Sequence, residues 1–301
     1  MELVKTVREI RTSLAPLRRR GARIGFVPTM GYLHEGHASL IRAARRENDV
    51  VVVSDFVNPT QFGPNEDFAR YPRDLDRDRT VAAAAGADFL FAPSVEEMYP
   101  DGAGQFFVDV GPLAGHLCGR SRPGHFRGVA TVVTKLFNIV QPHVAYFGQK
   151  DYQQALILRR MVRDLFFPLR ITVYPTVREP DGLALSSRNT YLSPTERQEA
   201  VVLYQSLQEA GRSLAAGERD ATRLRHRMEE VVGRADSSRV DYIEIVDPLT
   251  LLPLERVEKP ALFALAVFIG KTRLIDNALF DPSGKELSAD ELFNRTWSEW
   301  E

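Results

Sequence analysis

Ile24-Gly25-Phe26-Val27-Pro28-Thr29-Met30-Gly31-Tyr32-Leu33-His34-Glu35-Gly36-His37 is the stretch that decides the fold. An apolar strand runs into a tight Pro28-Thr29-Met30-Gly31 turn. A helix then continues as Ala38-Ser39-Leu40-Ile41-Arg42-Ala43-Ala44. Strand, glycine-containing turn and helix open a nucleotide-binding α/β unit, in which phosphate meets backbone N–H groups at a helix N-terminus. His34 and His37 stand one helical turn apart on the same face, so both reach one phosphate group. That arrangement can stabilise charge on a phosphorus undergoing displacement. A zinc-protease helix needs His-Glu-x-x-His, with its histidines one residue further apart. The plain alternative is that the two imidazoles only cap the helix.

Outward from this stretch, strands and helices alternate. Apolar runs at Ile24 to Val27, Val50 to Ser54, Ala87 to Phe91, Val144 to Phe147 and Ile171 to Tyr174 predict strands. Helices are expected over Ala38 to Arg46, Asp74 to Ala85, Thr131 to Val140 and Gln153 to Leu165. Near-continuous apolar strands separated by helices read as a parallel sheet covered on both faces, with ligands beyond the strands' carboxyl ends. The fold class is therefore α/β, a Rossmann-like parallel sheet over residues 1–176. A polar hinge or linker from Pro175 to Asn189 leads into a smaller α+β C-terminal lid domain over 177–301, which carries most of that hinge and the polar tail. In it, Pro194 to Ala216 and Asp220 to Arg234 predict helices, with Ser193 as N-cap. Tyr242 to Val246 and Leu262 to Ile269 predict strands, followed by a Gly270 to Arg273 turn and a short final strand. The residues from Asp281 read as a polar, peripheral tail.

Composition narrows the class. The 301 residues are 44% hydrophobic and 26% charged with net charge -1, which argues against nucleic acid held by bulk electrostatics. Arg18-Arg19-Arg20 ends a helix, where cations suit the helix dipole. One cysteine, Cys118, excludes an internal disulfide framework and suits a reducing cytosol. Met1 to Lys5 has no apolar core of a signal peptide, and no run is long enough to span a bilayer.

Polar loops follow the strand ends. Asn58-Pro59-Thr60-Gln61-Phe62 follows the second strand, and Ser121 to Gly128 sets two arginines and a histidine among glycines, which suits an anion. Gly148-Gln149-Lys150-Asp151-Tyr152 can bring a lysine to phosphate and an aspartate to a helix cap or a ribose. Leu185-Ser186-Ser187-Arg188-Asn189 can close on a triphosphate as a lid. Asp76 and Asp78, on a charged helix, read as solvated.

Taken in order, these stretches, with Tyr71-Pro72-Arg73, Asp181 to Asn189 and Arg273-Leu274-Ile275-Asp276-Asn277, resemble the pantothenate synthetase (pantoate–β-alanine ligase) family of the His-x-Gly-His nucleotidyltransferases. The match leaves only the tail after about Leu279. The resemblance implies a cytoplasmic homodimer that joins (R)-pantoate to β-alanine with ATP, through pantoyl adenylate, releasing pyrophosphate and AMP. It implies no nucleic-acid or membrane partner.

By the same resemblance His37, His34 and Lys150 are catalytic. Met30, Gly31, Tyr32, Leu33, His34, Glu35, Gly36 and His37 hold ATP with Gly148, Gln149, Lys150 and Asp151. Val177, Leu185, Ser186, Ser187 and Arg188 complete the ATP site. Gln61 and Gln154 bind pantoate between apolar walls from Pro28, Met30 and Phe62, with Arg122 for the anionic substrate and Asn58 for β-alanine. Mg2+ is expected on the phosphates, with no protein ligands assigned. Asp55, Cys118 and His143 depart from the family's usual residues. Two other readings stay open here: a different nucleotidyltransferase, and a catalytically silent nucleotide-fold platform.

Overall fold

A computed structural model describes residues 1–64 and 66–297. In chain order the first part runs β1 (Glu2–Val4), α1 (Val7–Arg19), β2 (Ile24–Thr29), α2 (Glu35–Glu47), β3 (Val50–Asp55), α3 (Leu75–Ala85), β4 (Phe89–Phe91), α4 (Val95–Met98), α5 (Leu117–Ser121), α6 (His125–Val140), β5 (Val144–Gly148), α7 (Tyr152–Asp164) and β6 (Arg170–Tyr174). Then follow α8 (Pro194–Glu199), α9 (Val202–Ala215), α10 (Ala221–Val232), β7 (Ser238–Val246), β8 (Ala261–Ile269), β9 (Thr272–Phe280) and α11 (Ala289–Trp297).

Six parallel strands form one sheet in the order β1-β4-β3-β2-β5-β6. The β3 residues show why its run is uniformly apolar. Val50 and Val52 enter the core with Ile10, Leu14 and Phe137, while Val51 and Val53 enter the core with Ile41, Ala44 and Leu90. The chain winds outward from β2 toward β3 and β4, and resumes on the other side at β5 and β6. The strand order thus reverses between β2 and β5, where such sheets open a crevice for ligand.

Three antiparallel strands, β7-β8-β9, form the second sheet. Leu262, Ala264 and Ala266 of β8 face the first half of the chain. Phe263, Leu265, Val267 and Ile269 pack with α9 and α10 residues such as Leu207, Leu214, Leu224 and Met228. Ser193 caps α8 in a capping box with Glu196, as its position before Pro194 predicts.

Several expectations are corrected. β1 pairs with β4 at the sheet edge although its three residues carry no readable periodicity. The helix expected over Pro194 to Ala216 is two helices, with a break at Ala200-Val201. α5 ends at Ser121 and α6 starts at His125, so five of the eight residues from Ser121 to Gly128 are helical. β9 is not short but spans nine residues. Within the hinge or linker read over Pro175 to Asn189, the stretch from Val177 to Leu185 folds back as a hairpin, and Ser187 to Asn189 enter a turn of 3₁₀ helix. Leu185 N–H donates to the Val177 carbonyl, Arg178 bridges to Ala184, and the Arg178 guanidinium grips the buried Asp276 at 2.6 and 3.0 Å.

The tail is not peripheral either. Ala289 and Phe293 of α11 are fully buried, and the Phe293 ring lies 5.4 Å from that of Tyr152. Asp290 caps the edge of β6 through Val173 N–H, and Asn294 accepts from Arg159. Residues 298–301 of that tail lie outside the described residues.

Candidate active site

The ends of β2 and β5 frame the site. After β2, Thr29 Oγ1 donates to the Ser54 carbonyl and accepts from Gly31 N–H, which turns the chain back on itself. Gly31 sits at φ +77°, and a Cβ there would lie 2.2 Å from Asp55 Oδ1, so only glycine fits. Tyr32 follows at φ 50°.

His34 is the N-cap of α2, and its Nδ1 accepts from Gly36 N–H at 3.2 Å. His37 Nδ1 in turn accepts from His34 N–H at 3.3 Å. Capping and function are therefore compatible: the backbone occupies both Nδ1 atoms, which places each proton on Nε2 as a donor. The rings lie 4.1 Å apart. Burial, then the nearby Lys150 cation, pushes His34 down to about 4. Burial, then His34 and Lys150, pushes His37 well below its ordinary value. Both imidazoles are neutral donors at neutral pH.

After β5, Gly148 leads into a turn of 3₁₀ helix carrying Lys150 and Asp151. Asp151 makes no capping bond to α7 and stays half-exposed, with Lys150 Nζ 3.6 Å from Oδ2. Asn277 of β9 donates to the carbonyls of Gln149 and Lys150, which fixes this turn from the second sheet. Across the cleft, Ser186 caps the turn carrying Ser187 and Arg188, and Ser187 Oγ reaches the Tyr32 carbonyl at 3.5 Å. Met30, His34, Gly36, His37, Gly148, Lys150, Asp151, Val177 and Leu185 to Arg188 all line this one cleft, with Gln61, Arg122 and Gln154.

A sequence model of the Pantoate-beta-alanine ligase family matches residues 2–279. The chain belongs to that family. A Moorella thermoacetica relative named pantothenate synthetase is 60% identical over 281 residues, 93% of this chain and 99% of the relative. One from Thermotoga petrophila is 57% identical over 279 residues, again 93% and 99%. The crystal structure of pantothenate synthetase from Thermus thermophilus superposes with TM-score 0.87 at 53% identity, covering 92% of this chain and 98% of the other. A Francisella tularensis pantoate-beta-alanine ligase, crystallised with beta-gamma ATP and beta-alanine, gives 0.78 at 39%, covering 94% and 100%.

Other family-motif residues stand behind the cleft walls. Gln149 is buried, its side chain accepting from Ala289 N–H, and Glu35 is exposed and paired to Arg42. Tyr32 and Leu33 give their N–H groups to Asp78 at 2.6 and 2.5 Å, so they shape the turn. Asp78, expected to be solvated, is fully buried. Asn58 is 1% exposed: it donates to Gln61 Oε1 and the Gly128 carbonyl, and accepts from Tyr99 and Thr60. The backbone of Gly128 lies so close to this loop that a Cβ would sit 2.4 Å from the Thr60 carbonyl oxygen.

Arg122 donates to Glu66 and the Gln61 carbonyl, and approaches His125 Nε2 at 3.0 Å. His125 Nδ1 faces the Gln61 carbonyl at 2.8 Å, so its proton lies on Nδ1, the opposite tautomer to the other two. Burial and the Arg122 charge push His125 down to about 4. Arg188 holds Asp67 through two bonds, 2.9 and 2.8 Å. Burial raises the Asp67 carboxyl, but the guanidinium more than offsets it and the net shift is downward. Glu66 and Asp67 carried no motif signal. The apolar wall from Val129, Val133 and Leu136 was legible only as a helical stripe.

Proposed function

We propose that this chain catalyses ATP-dependent condensation of (R)-pantoate with β-alanine, through pantoyl adenylate, with release of pyrophosphate and AMP. The observation that carries this reading is the pair of fixed imidazole Nε2–H donors at the head of α2. They share one cleft with Lys150 and with the Ser186 to Arg188 lid, at the point where the strand order reverses.

In the first step a pantoate carboxylate oxygen attacks the α-phosphorus, and the bond to the bridging oxygen breaks as pyrophosphate takes the electron pair. Charge grows on the phosphoryl oxygens. His34 and His37 donate to them as neutral groups already oriented by the backbone, so no reorganisation is needed at the moment of reaction. Lys150 and Arg188, with the Ser186 and Ser187 hydroxyls, hold the leaving pyrophosphate, and Asp151 accepts from ribose. Val177 and Leu185 face adenine.

In the second step the free amine of β-alanine attacks the acyl carbon and forms the C–N bond. The C–O bond to AMP breaks with its electron pair passing to the AMP phosphate, and the proton lost from nitrogen passes to that phosphate or to water. Gln61 and Gln154 hold pantoate, with Pro28, Met30 and Phe62 around its methyl groups and Arg122 for the anion. Asn58 acts by orienting the Gln61 amide rather than by touching β-alanine. The closed lid keeps water from the mixed anhydride.

Among the described residues no group of three or more His, Cys, Asp or Glu could hold a metal ion. The described residues offer no cage, so Mg2+ would enter on the nucleotide, held by phosphate oxygens and water, and would neutralise phosphate charge. No described helix is long and apolar enough to cross a membrane. A cytosolic homodimer is proposed from the family reading and is tested by sedimentation.

ATP–pyrophosphate exchange tests the chemistry. Exchange that requires pantoate, followed by AMP release that requires β-alanine, supports both steps. Exchange without AMP release points to another amine acceptor, and no exchange by folded, ATP-binding protein overturns the reading.

A further inference from the structure

Two aspartates hold the turn that delivers His34. β3 ends at Asp55, in register with Thr29, and α3 brings up Asp78, which accepts from Tyr32 and Leu33 N–H. Asp55 closes on the same turn: a Cβ built on Gly31 would lie 2.2 Å from Asp55 Oδ1 and 3.1 Å from Asp78 Oδ2. The two carboxyl groups therefore converge on one point. The cations facing them are Arg73 and Arg77. Arg73 donates to the carbonyls of Tyr71 and Phe68, and Arg77 lies over the Tyr32 ring at 4.4 Å, so both guanidinium groups are engaged beside the pair.

Two ionised carboxylates in such a space repel strongly. Asp78 needs its charge, because both its oxygens already receive backbone N–H groups. Asp55 can hold the proton and donate it to Asp78.

We infer that Asp55 works as a neutral carboxylic acid hydrogen-bonded to the Asp78 carboxylate, and that this one-proton pair clamps the Gly31 to Leu33 turn, setting His34 against the ATP phosphates. The last clause rests on the ligase reading, whereas the clamp itself does not. Asp55 and Asp78 are positioning residues. Burial, then the Asp78 charge, pushes Asp55 up to about 7, and burial raises Asp78 as well. The pair titrates as a unit, so it loses its shared proton near neutrality and the turn loosens above that pH.

Asp55→Asn tests this. The carboxamide keeps the shape and a donor N–H for Asp78 but cannot ionise. Folded Asp55 keeps a proton that the unfolded chain has already released, so its stability contribution declines as pH rises from about 4 to about 7 and is flat above. The melting temperature of the variant minus that of the parent should therefore grow across that window. The carboxylic-acid C=O stretch in infrared difference spectra should disappear in the variant. The ratio of parent to variant kcat/KM for ATP should fall about tenfold between about pH 6.5 and about pH 8.5.

Melting curves that stay parallel overturn the shared proton. A pH-dependent melting difference with parallel kcat/KM profiles overturns the positioning of His34. If neither protein turns over pantoate, the ligase reading fails, while the melting and infrared results still decide the clamp.

Discussion

His37→Ala separates the two contacts of one ring. His37 Nδ1 accepts the His34 N–H at the long distance of 3.3 Å, which leaves Nε2–H as the donor of a ring that lines the cleft. Losing the first contact weakens the α2 cap by about 0.5–1 kcal/mol, at the low end for an N-cap. That lowers the melting temperature by roughly 1–4 °C for a chain of this size. Losing the second removes one fixed donor from a developing phosphoryl charge, about 3–4 kcal/mol, or about 10²–10³ in kcat.

The assay is pantoate-dependent ATP–pyrophosphate exchange beside β-alanine-dependent AMP release. Both should fall by that factor while ATP affinity changes less than about tenfold, because the donor acts mainly in the transition state. Turnover within about threefold of the parent would refute the role. Because His34 lies at about 4 and His37 well below its ordinary value, parental kcat should not rise as pH falls from about 6.5 to about 5. A rise would show that imidazolium is the working form.

Arg188→Gln should weaken ATP binding by about 10–100-fold in calorimetry and leave AMP affinity unchanged, since AMP lacks the phosphates it grips; equal losses for both would remove Arg188 from the β- and γ-phosphates. Phe293→Ala should cost about 3–5 kcal/mol in urea unfolding, and a cost below about 1 kcal/mol would show that α11 is dispensable to the core. Folded His125 is depressed to about 4, so the stability it lends is complete above its unfolded value and declines as pH falls from about 6.5 to about 4. His125→Gln should therefore gain relative stability over that acid window, and acid melting parallel to the parent would contradict it.

The parallel sheet was legible because its strands are buried on both faces and so read as unbroken apolar runs. The His34 to His37 stretch was legible because strand, turn and helix follow within a few residues. What escaped depends on distant partners. Asp78 sits on a helix that reads as charged and solvated, yet the Tyr32 and Leu33 amides that bury it come from another part of the chain. β9 looked short because Arg273, Asp276 and Asn277 interrupt its apolar pattern. Those residues pair with Asp241, Arg178 and the 149–150 carbonyls. The break between α8 and α9 falls at Ala200-Val201, with no glycine or proline to announce it. In the tail, Ala289 and Phe293 are too few to declare a buried helix without β6 and Tyr152 in view.

The arginines of the cleft have a further consequence. Glu66 and Asp67, adjacent in sequence, hold Arg122 and Arg188, so the free protein carries internal counter-ions where substrate anions would otherwise be awaited. Entry of carboxylate and triphosphate is then an exchange of one anion for another around fixed guanidinium groups, rather than neutralisation of a bare basic pocket. Part of the attraction is cancelled by the bonds given up, which favours ready product release over tight retention. Dissolved salt should also matter less than for an open cationic groove, since the ions displaced belong to the protein and are not drawn from solution.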